Sequence, residues 1–501
     1  MSRFPTSRLS LGLVLIVATV TRAARLGCEL VYSDEAFSWR ITQFPWSESV
    51  RRLAEDVHPL LHYVLARMVI GWIGDGPVAI RSLSVLAGVG AVALTYVLAI
   101  EVCAWEQGDE HQLGRGWAVL AALAMAVHAL HVEGARTARM YAVATCLAVL
   151  ATWLLLRAAR TGRRRRWLAY GITCIPLAHT HYFAFFLFLA HVAFVALLPT
   201  RRSPARARSS AIGVGAAMVA VTASYVPWML VLADQVDRVH RGYWIAPPTA
   251  ASMAFAVNSW FFGVRDHDGT LACAAIVLFL VFSIVAFRAP NPAFLALWLV
   301  AAVPWCMAMI ITWGFGRPLI QDRYLAMAGP MLLVLGALAS RHIPPSIAAF
   351  VVVAYLLTPT ILGGISSFWN MPDREPSIVD AVNMIDDHPA DAILCPRPAD
   401  LNILTYYLRQ VSDRIPRVAC VPLDRNEYPG QVPHLASIEE RDFVQPGELR
   451  NARRLWIVNS ALQLDDTDWV VEARHRFPPM RRQYEMGYQV ELFVKRARPG
   501  R

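Results

Sequence analysis

The chain has 501 residues, of which 56% are hydrophobic and only 17% are charged, and its mean hydropathy is +0.41. This composition is typical of a polytopic membrane protein. The net charge of +10 also suits a nucleic-acid-binding protein, but here the arginines lie in short loops between apolar segments. The positive-inside rule for cytoplasmic loops accounts for that distribution, so we expect membrane lipids and no nucleic acid as partners.

The apolar segments predict about eleven transmembrane helices, each near the twenty residues needed to cross the hydrocarbon. Arg3 and Arg8 precede the first segment and place the N-terminus in the cytoplasm. A cleaved signal peptide is the alternative for that segment, and in both cases the next loop lies outside the cytoplasm. The predicted spans cover residues 9–27, 77–100, 116–133, 137–158, 167–199 (two helices), 210–233, 269–288, 293–314, 323–340 and 345–364.

The arginine distribution decides the interpretation of two apolar segments. Residues 167–199 are predominantly apolar, yet arginine-rich loops flank both ends. Both flanks belong in the cytoplasm, so we predict two helices joined by an outer turn at residues 179–182. Residues 59–73 carry His62 and Arg67 and are too short for a span, so we predict an interfacial helix there.

The character of the chain changes near residue 365, beyond which no spanning segment is found. We predict a transmembrane domain at 1–364 and a soluble α/β domain at 365–501, because helical and strand patterns alternate in the second part. The predicted elements are helices at 376–387, 399–410 and 466–475 and strands at 391–395, 417–422, 454–459 and 488–495.

The most informative motif is Ser33-Asp34-Glu35, which directly follows the first apolar segment. Ionisable residues at a membrane are costly and usually have a functional role. The predicted topology brings further polar residues to the same outer face, including Asp56-Val57-His58 in the first loop. The later outer loops contribute Glu133, Arg136, Arg139, Tyr141, His181, Tyr182, Arg323 and Tyr324. Since Lys495 is the only lysine, contacts to a phosphate would come from arginine or protonated histidine.

These residue types suit the transfer of a group from a phospholipid-type carrier. A carboxylate near an acceptor hydroxyl can act as a general base. Arginine and protonated histidine can hold a departing phosphate and neutralise the charge that it develops. Tyrosine at the interface can stack on a sugar or anchor a loop among the headgroups. The sequence therefore predicts a transfer reaction at the extracytoplasmic face of the membrane.

The order of these motifs resembles that of the type C glycosyltransferases, in particular the protein O-mannosyltransferase and aminoarabinose transferase branch. The similar motifs are Asp34-Glu35 after the first span, His58-Pro59, Glu133…Arg136…Arg139-Met140-Tyr141, His181-Tyr182-Phe183 and Arg323-Tyr324-Leu325. The resemblance covers residues 8–364 and implies an α-helical membrane domain of the type C fold. It also implies inverting transfer of a sugar from a polyprenyl-phosphate donor to a lipid, glycan or protein acceptor.

The resemblance further implies roles for individual residues. Asp34 becomes the acidic residue of the catalytic centre, with Glu35 beside it, and His58 a ligand of the donor phosphate. The chemistry of the outer loops adds Glu133 as a second acid and Arg136, Arg139 and Arg323 as further phosphate ligands. It also adds Tyr141, His181, Tyr182 and Tyr324 as substrate-lining residues. Relatives usually have Pro-Pro after the basic residue of the second motif, whereas this chain has Pro59-Leu60.

Each of these assignments has a structural alternative. Glu35 can pair with Arg40, and Glu133 can pair with Arg136. The basic residues His58, Arg139 and His181 can instead serve at a helix start, among the headgroups or in a turn. A divalent cation held by Asp34, Glu133 or a histidine also stays open as a cofactor, because some members of the similar family use one, although no ligand spacing in this sequence requires it.

Two other classes of function stay open as well. A transporter or flippase of lipid-linked saccharides would place polar residues in mid-membrane within an internal repeat, and the sequence shows no such pattern. A non-catalytic membrane scaffold would use the α/β domain to bind a partner. We expect an integral protein of a bacterial-type plasma membrane, with the site and the C-terminal domain outside the cytoplasm.

Overall fold

The structure of the chain is a computed structural model, and its fold is mainly α-helical. The structure describes residues 6–106, 110–198, 204–241, 245–342, 377–388, 390–395, 398–411, 417–420, 453–458, 469–477 and 488–495. The α-helices are α1 (Thr6–Ala23), α2 (Ser33–Gln43), α3 (Trp46–Glu55), α4 (Leu61–Ile73), α5 (Pro77–Cys103), α6 (Glu110–Val127), α7 (Ala129–Arg136), α8 (Tyr141–Thr161), α9 (Arg164–Ala178), α10 (Ala184–Leu197), α11 (Pro204–Arg241), α12 (Ala250–Phe262), α13 (Gly269–Arg288), α14 (Pro292–Met309), α15 (Asp322–Leu325), α16 (Gly329–Ala339), α17 (Ser377–Asp387) and α18 (Pro398–Val411). The strands are β1 (Ala392–Cys395), β2 (Arg417–Cys420), β3 (Arg454–Val458), β4 (Trp469–Phe477) and β5 (Tyr488–Lys495).

The helices have the lengths and composition of a polytopic membrane protein, as predicted. Among the described residues, seven helical segments are long and apolar enough to cross a membrane, and the bent pair α6–α7 makes an eighth if it counts as one span. The two helices predicted within residues 167–199 are α9 and α10, and with 15 and 14 residues they are shorter than a full crossing. The predicted span 345–364 lies outside the described residues.

The predicted third span, residues 116–133, is broken between α6 and α7. The two helices meet at a bend of 55°. The guanidinium of Arg22, fully buried in α1, donates to the carbonyl oxygens of Met125 and Ala126 at 3.0 and 2.8 Å. Carbonyls in the last turn of a helix have no helical partner, and a cation there is favourable. The break is therefore stabilised from the neighbouring helix, and α7 then ends at the extended residue Thr137.

The outer loops show one confirmed turn and one correction. The predicted turn at residues 179–182 is confirmed, because α9 ends at Ala178 and α10 begins at Ala184. Residues 234–268 lie between two predicted spans and had no helix assigned, but they contain the end of α11 and the whole of α12. The local reason is a capping box at the start of α12, in which the Thr249 side chain accepts from the Ser252 backbone N–H at 3.2 Å.

The C-terminal part contains a five-stranded sheet in the order β2-β1-β3-β5-β4. β1 pairs in parallel with β2 and β3, whereas β5 is antiparallel to β3 and β4. The predicted helix at 466–475 is wrong: residues 469–477 form β4. Their backbone pairs with β5 from Trp469 opposite Lys495 to Phe477 opposite Tyr488. Strand formation depends on such non-local pairing more than on the local pattern.

The α/β unit packs against the first-loop helix α2. The hydroxyl oxygen of Tyr407 in α18 accepts a hydrogen bond from the backbone N–H of Val31 at 2.7 Å. Tyr406 packs edge-on against Trp39, with ring centroids 5.2 Å apart, and its hydroxyl donates to the Asp75 carbonyl at 3.1 Å. Trp39 also lies in one apolar core with residues of α17, α18 and the sheet. This packing holds α2 in place from the side opposite the bundle.

We expect Tyr407→Phe to lower the free energy of unfolding by about 1–3 kcal/mol, because the buried Val31 N–H would lose its acceptor. Thermal unfolding of the purified protein in detergent measures this change. Gln43→Ala is the matched control, because it removes an exposed hydrogen bond to Arg409 at the same interface. A loss no larger than that of the control would show that the Tyr407 contact does not stabilise α2.

Candidate functional site

The N-terminus of α2 presents Asp34 at the mouth of the site. Asp34 lies in the first helical turn, where the helix dipole favours a carboxylate. Its Oδ2 is 3.4 Å from Nη1 of Arg323, and the two side chains are 26% and 30% exposed. The Arg323 guanidinium lies over the rings of Tyr141 and Tyr324, with centroid distances of 5.8 and 5.6 Å. Four predicted site residues from α2, α8 and α15 therefore meet here.

Arg139 joins the first loop to the segment that follows α7. Its Nη1 donates to the Asp34 carbonyl at 3.3 Å and to the Ser38 hydroxyl at 3.2 Å. The same nitrogen is 3.3 Å from the Tyr63 hydroxyl, and Nη2 is 3.5 Å from His58 Nδ1. The buried Nε of Arg139 has no hydrogen-bond partner among the described residues. A buried guanidinium with an unused donor, next to a carboxylate at the surface, is suited to an anionic ligand.

His58 belongs to the same group and has a carboxylate partner. Its Nδ1 is 3.5 Å from Oδ2 of Asp56, which accepts a hydrogen bond from the Tyr63 hydroxyl at 2.9 Å. Burial lowers the pKa of His58, and Asp56 offsets only part of that effect. Burial would raise the pKa of Asp56, but the hydrogen bond with His58 and the charge of Arg139 outweigh it, so this pKa lies below its usual value. His58 is thus neutral and Asp56 ionised near neutral pH.

Aromatic rings line the other side of the group. His181 lies 5.4 Å from Tyr324 and 5.9 Å from Tyr141 between ring centroids, and 6.3 Å from His58. The backbone N–H of Phe183 donates to His181 Nδ1 at 3.2 Å, so the proton of the neutral ring is on Nε2. That buried Nε2 has no partner among the described residues. Burial holds the pKa of His181 well below its usual value.

Glu35, predicted as a catalytic neighbour of Asp34, is fully buried and pairs with Arg81 rather than Arg40. Its two oxygens accept from Arg81 Nε at 2.8 Å and Nη2 at 2.7 Å. Oε1 also accepts from the backbone N–H of Ala138 at 2.7 Å. The carboxylate therefore joins α2, α5 and the residue directly before Arg139. With its oxygens engaged in this way, Glu35 fits a positioning role and not proton transfer.

Glu133 and Arg136 also have partners outside the Asp34 group. Glu133 pairs with Arg265 at 2.8 Å and not with Arg136. The buried Arg136 pairs with Glu29 at 3.1 Å and donates to the Ala24 carbonyl at 2.9 Å. Arg136 thereby joins α7 to the end of α1, so these contacts are those of a residue that stabilises the fold. Arg265 lies 3.7 Å from Oδ2 of Asp322, so Glu133 is linked to the residue before Arg323.

Tyr182, predicted to line the substrate site, is held in a polar cluster with α11. Its hydroxyl donates to the side-chain oxygen of Gln235 and accepts from the Trp228 indole N–H at 3.1 Å. Gln235 in turn donates to the Leu53 carbonyl at 3.1 Å, at the end of α3. Tyr182 thus links the α9–α10 turn to the segment that leads to Asp56.

Sequence analysis placed Asp56 at the same outer face but gave it no role, and it did not assign Tyr63 or Ser38 to the site. Asp56 stands two residues before His58, and this short spacing in the sequence indicates that a carboxylate can lie beside the imidazole ring. Ser38 lies one helical turn after Asp34, with its hydroxyl bonded to the Asp34 carbonyl at 2.9 Å. Tyr63 carried no signal, because its contact with Arg139 depends on how α4 packs against the bundle.

We expect the protein to lose stability below about pH 6.5, because burial lowers the pKa of His62 to about 3. The unfolded chain takes up this proton at a higher pH than the folded protein, so the free energy of unfolding falls as the pH drops. At pH 5 the contribution is ~2 kcal/mol. Thermal unfolding at pH 7.5 and 5 measures it, and His62→Gln should lose less than the wild type. The exposed His267→Gln is the control, and an equal loss in all three proteins would contradict the expectation.

The acids of the site do not form a metal centre. No group of three histidine, cysteine, aspartate or glutamate side chains is close enough to hold a metal ion in the part of the chain that the structure describes. Asp34 lies against Arg323, and Glu133 against Arg265. These residues do not fit a divalent cation, so no step is assigned to one.

Comparison with known proteins identifies the fold. No protein-family model matches the sequence. No curated protein matches it either. Among solved structures, the ArnT protein of Cupriavidus metallidurans bound to undecaprenyl phosphate matches with a TM-score of 0.57 and 14% identity over 96% of this chain and 97% of that chain. Its apo structure gives a TM-score of 0.58 at 13% identity, again over 96% and 97% of the two chains.

A second similar structure is the archaeal oligosaccharyltransferase AglB of Archaeoglobus fulgidus, in complex with an inhibitory peptide and a dolichol-phosphate. It matches with a TM-score of 0.50 and 12% identity over 90% of this chain and 69% of that chain. Both are type C glycosyltransferases. The chain therefore has the type C glycosyltransferase fold and is an integral membrane protein.

Proposed function

We propose that this chain, with its type C fold, transfers a sugar from a polyprenyl-phosphate donor to an acceptor at the extracytoplasmic face of the membrane. The observation that carries the proposal is the convergence of Asp34, Arg323 and Arg139 at the start of α2. The Asp34 carboxylate lies 3.4 Å from the guanidinium of Arg323, and the Asp34 backbone carbonyl oxygen accepts a hydrogen bond from Arg139 at 3.3 Å. A base beside two phosphate-binding cations is what this reaction requires.

The mechanism follows from that arrangement. Asp34 takes the proton of the acceptor hydroxyl or amine, whose heteroatom attacks the anomeric carbon. The bond from that carbon to the phosphate oxygen breaks in the same displacement, so the configuration inverts and polyprenyl phosphate leaves. Arg139, Arg323 and His58 hold the leaving phosphate. Arg323 pairs with Asp34 in the free protein, and a bound donor phosphate would compete with Asp34 for the same guanidinium.

The ligands of the similar structures support the class of donor. ArnT was solved with undecaprenyl phosphate, and AglB with a dolichol-phosphate. Both ligands combine a polyprenyl chain with a phosphate. In this chain the unused Nε–H of Arg139 offers a donor for such a phosphate.

The orientation belongs to the same proposal. The N-terminus would lie in the cytoplasm, because the arginines at 163–166 follow α8 at the end opposite Asp34. The α/β unit, residues 365–501, would form a second domain outside the membrane. Since α18 packs against α2, this unit would lie beside the site and help to select the acceptor, whether lipid, glycan or protein.

The test is acceptor-dependent release of polyprenyl phosphate. The purified protein is reconstituted with a panel of polyprenyl-phosphate sugars and crude envelope acceptors, including the native lipid extract. Release that requires both the protein and an acceptor supports the proposal and identifies the sugar. Movement of the intact donor between leaflets without release would favour a flippase. Neither release nor movement would favour a non-catalytic scaffold.

A further inference from the structure

Asp56 is a buried acid with no role in the mechanism above. It is 2% exposed, and its Oδ2 faces both His58 Nδ1 at 3.5 Å and the Tyr63 hydroxyl at 2.9 Å. A carboxylate next to one ring nitrogen of a histidine determines which nitrogen carries the proton. The question is therefore which nitrogen of His58 is left to face a ligand.

The carboxylate favours a proton on Nδ1, because a hydrogen bond from that nitrogen to an anion is charge-assisted. Arg139 Nη2 is also 3.5 Å from Nδ1 and can only donate, so it competes with Asp56 and favours a lone pair on that nitrogen. Asp56→Asn decides which of the two partners determines the tautomer. A neutral ring protonated on Nδ1 has a lone pair on Nε2. The polar contacts of His58 with the described residues are made through Nδ1, and its side chain is 12% exposed, which leaves Nε2 as the nitrogen for a ligand.

An anionic phosphate oxygen cannot accept a hydrogen bond from Nε2 in that tautomer. It would meet a lone pair instead. A second proton on the ring converts Nε2 into a donor and makes His58 cationic, and the negative phosphate favours that form. Asp56 compensates the charge from the other edge of the ring.

We propose that Asp56 is a positioning residue that holds the proton on His58 Nδ1, so that binding of the donor phosphate requires the uptake of one proton on Nε2. Donor affinity would then depend on pH. The inference rests on the proposed function, because it concerns the phosphate of the same donor. Arg139 is a cation whether His58 is neutral or protonated, whereas His58 becomes a cation only when the phosphate is bound.

The charged and titratable groups around His58 come from several elements. They are Asp56 on its own segment, Asp34 on α2, His62 and Tyr63 on α4, Arg139 after α7 and His181 in the α9–α10 turn. Arg139 opposes protonation of the ring, and the two aspartates favour it. Burial opposes protonation of His58 more strongly than the aspartates favour it, so the free protein binds this proton weakly. The negative charge of the bound phosphate must therefore stabilise the protonated ring.

The experiment measures binding of a methyl diester of undecaprenyl phosphate to the full-length protein between about pH 6 and 8.5. A diester carries one constant charge over this range, so its own titration does not contribute. We expect the affinity of the wild type to fall by up to ~10-fold per pH unit above about pH 6.5, with the uptake of about one proton per bound diester. Calorimetry in two buffers with different ionisation enthalpies measures that proton.

Three variants locate the effect. His58→Gln keeps an amide donor without a titratable ring and should give a flat pH profile. Asp56→Asn removes the preference for Nδ1–H, so a neutral ring can donate from Nε2 and the slope should decrease. His267→Gln, an exposed histidine in the loop after α12, should keep the slope of the wild type. Thermal unfolding confirms that each variant is folded, and His58→Gln alone tests the proton uptake if Asp56→Asn does not fold.

The outcomes separate the two proposals. Diester binding with the same slope in the wild type and His58→Gln would overturn the proton uptake while leaving the proposed function intact. A wild-type slope in Asp56→Asn would remove Asp56 from the account. No binding of the diester to the wild type at any pH would overturn the proposed function, and this inference with it.

Discussion

Asp34→Asn should lower the rate of sugar transfer by about 10²- to 10⁴-fold, the contribution that a general base typically makes. The amide has nearly the shape of the carboxylate but cannot take the acceptor proton. It also removes the anionic oxygen 3.4 Å from Arg323, so Asp34 no longer competes with a phosphate for this guanidinium. We therefore expect kcat to fall while the affinity for undecaprenyl phosphate stays the same or increases. Release assays under saturating donor, together with binding of undecaprenyl phosphate, measure the two effects separately.

The matched control is Glu55→Gln, an exposed carboxylate on α3 that pairs with Arg51. It should leave transfer unchanged, because it lies outside the group around Asp34. A reduction of less than ~10-fold in Asp34→Asn would remove Asp34 as the base. A loss of phosphate binding equal to the loss of rate would instead make Asp34 a residue that organises the donor site.

Glu35→Gln should lower the free energy of unfolding by about 3–5 kcal/mol, because it leaves the charge of Arg81 buried without its counter-ion. Arg81 is 1% exposed, and its remaining acceptors are backbone carbonyls, among them Leu26 and Leu30 at 2.7 Å each. Carbonyl oxygens satisfy the N–H groups but do not neutralise the guanidinium. Unfolding by heat or denaturant in detergent measures the loss.

Two comparisons make this prediction specific. Glu48→Gln removes a partly exposed partner of Arg51 and Arg52 on α3, and should destabilise the protein less than Glu35→Gln does. The double variant Glu35→Gln/Arg81→Met removes both charges and should recover much of the lost stability. Equal small losses in Glu35→Gln and Glu48→Gln would show that the buried pair does not hold α2 to α5.

The neighbouring acids Asp34 and Glu35 have different roles that the sequence does not distinguish. Both stand in the same motif, and the order of the motifs along the chain indicated that an acid of this loop matters. Consecutive residues on a helix point about 100° apart. Asp34 faces Arg323 at the surface, whereas Glu35 faces Arg81, 46 residues later in the chain. The partner of a carboxylate determines its role, and partners that distant do not appear in a local pattern.

The same limit explains the elements that were predicted wrongly. β4 was predicted as a helix, whereas its strand state depends on pairing with β5, and α12 lies between two predicted spans where no helix was assigned. The break between α6 and α7 depends on Arg22, which lies more than a hundred residues earlier in the chain. The break depends on a donor far away in the chain and β4 on a neighbouring strand, whereas α12 begins at a local capping box.

Apolar length, arginine distribution and motif order were sufficient to predict a polytopic membrane protein of the type C fold. Each of these properties is carried by contiguous residues, because the bilayer selects segments by their own length and charge. Only the tertiary structure assigned Arg139 and Arg323 to Asp34, Arg81 to Glu35, Arg265 to Glu133 and Asp56 to His58. These pairings depend on how separate helices pack, and burial then decides which charges remain accessible to a substrate.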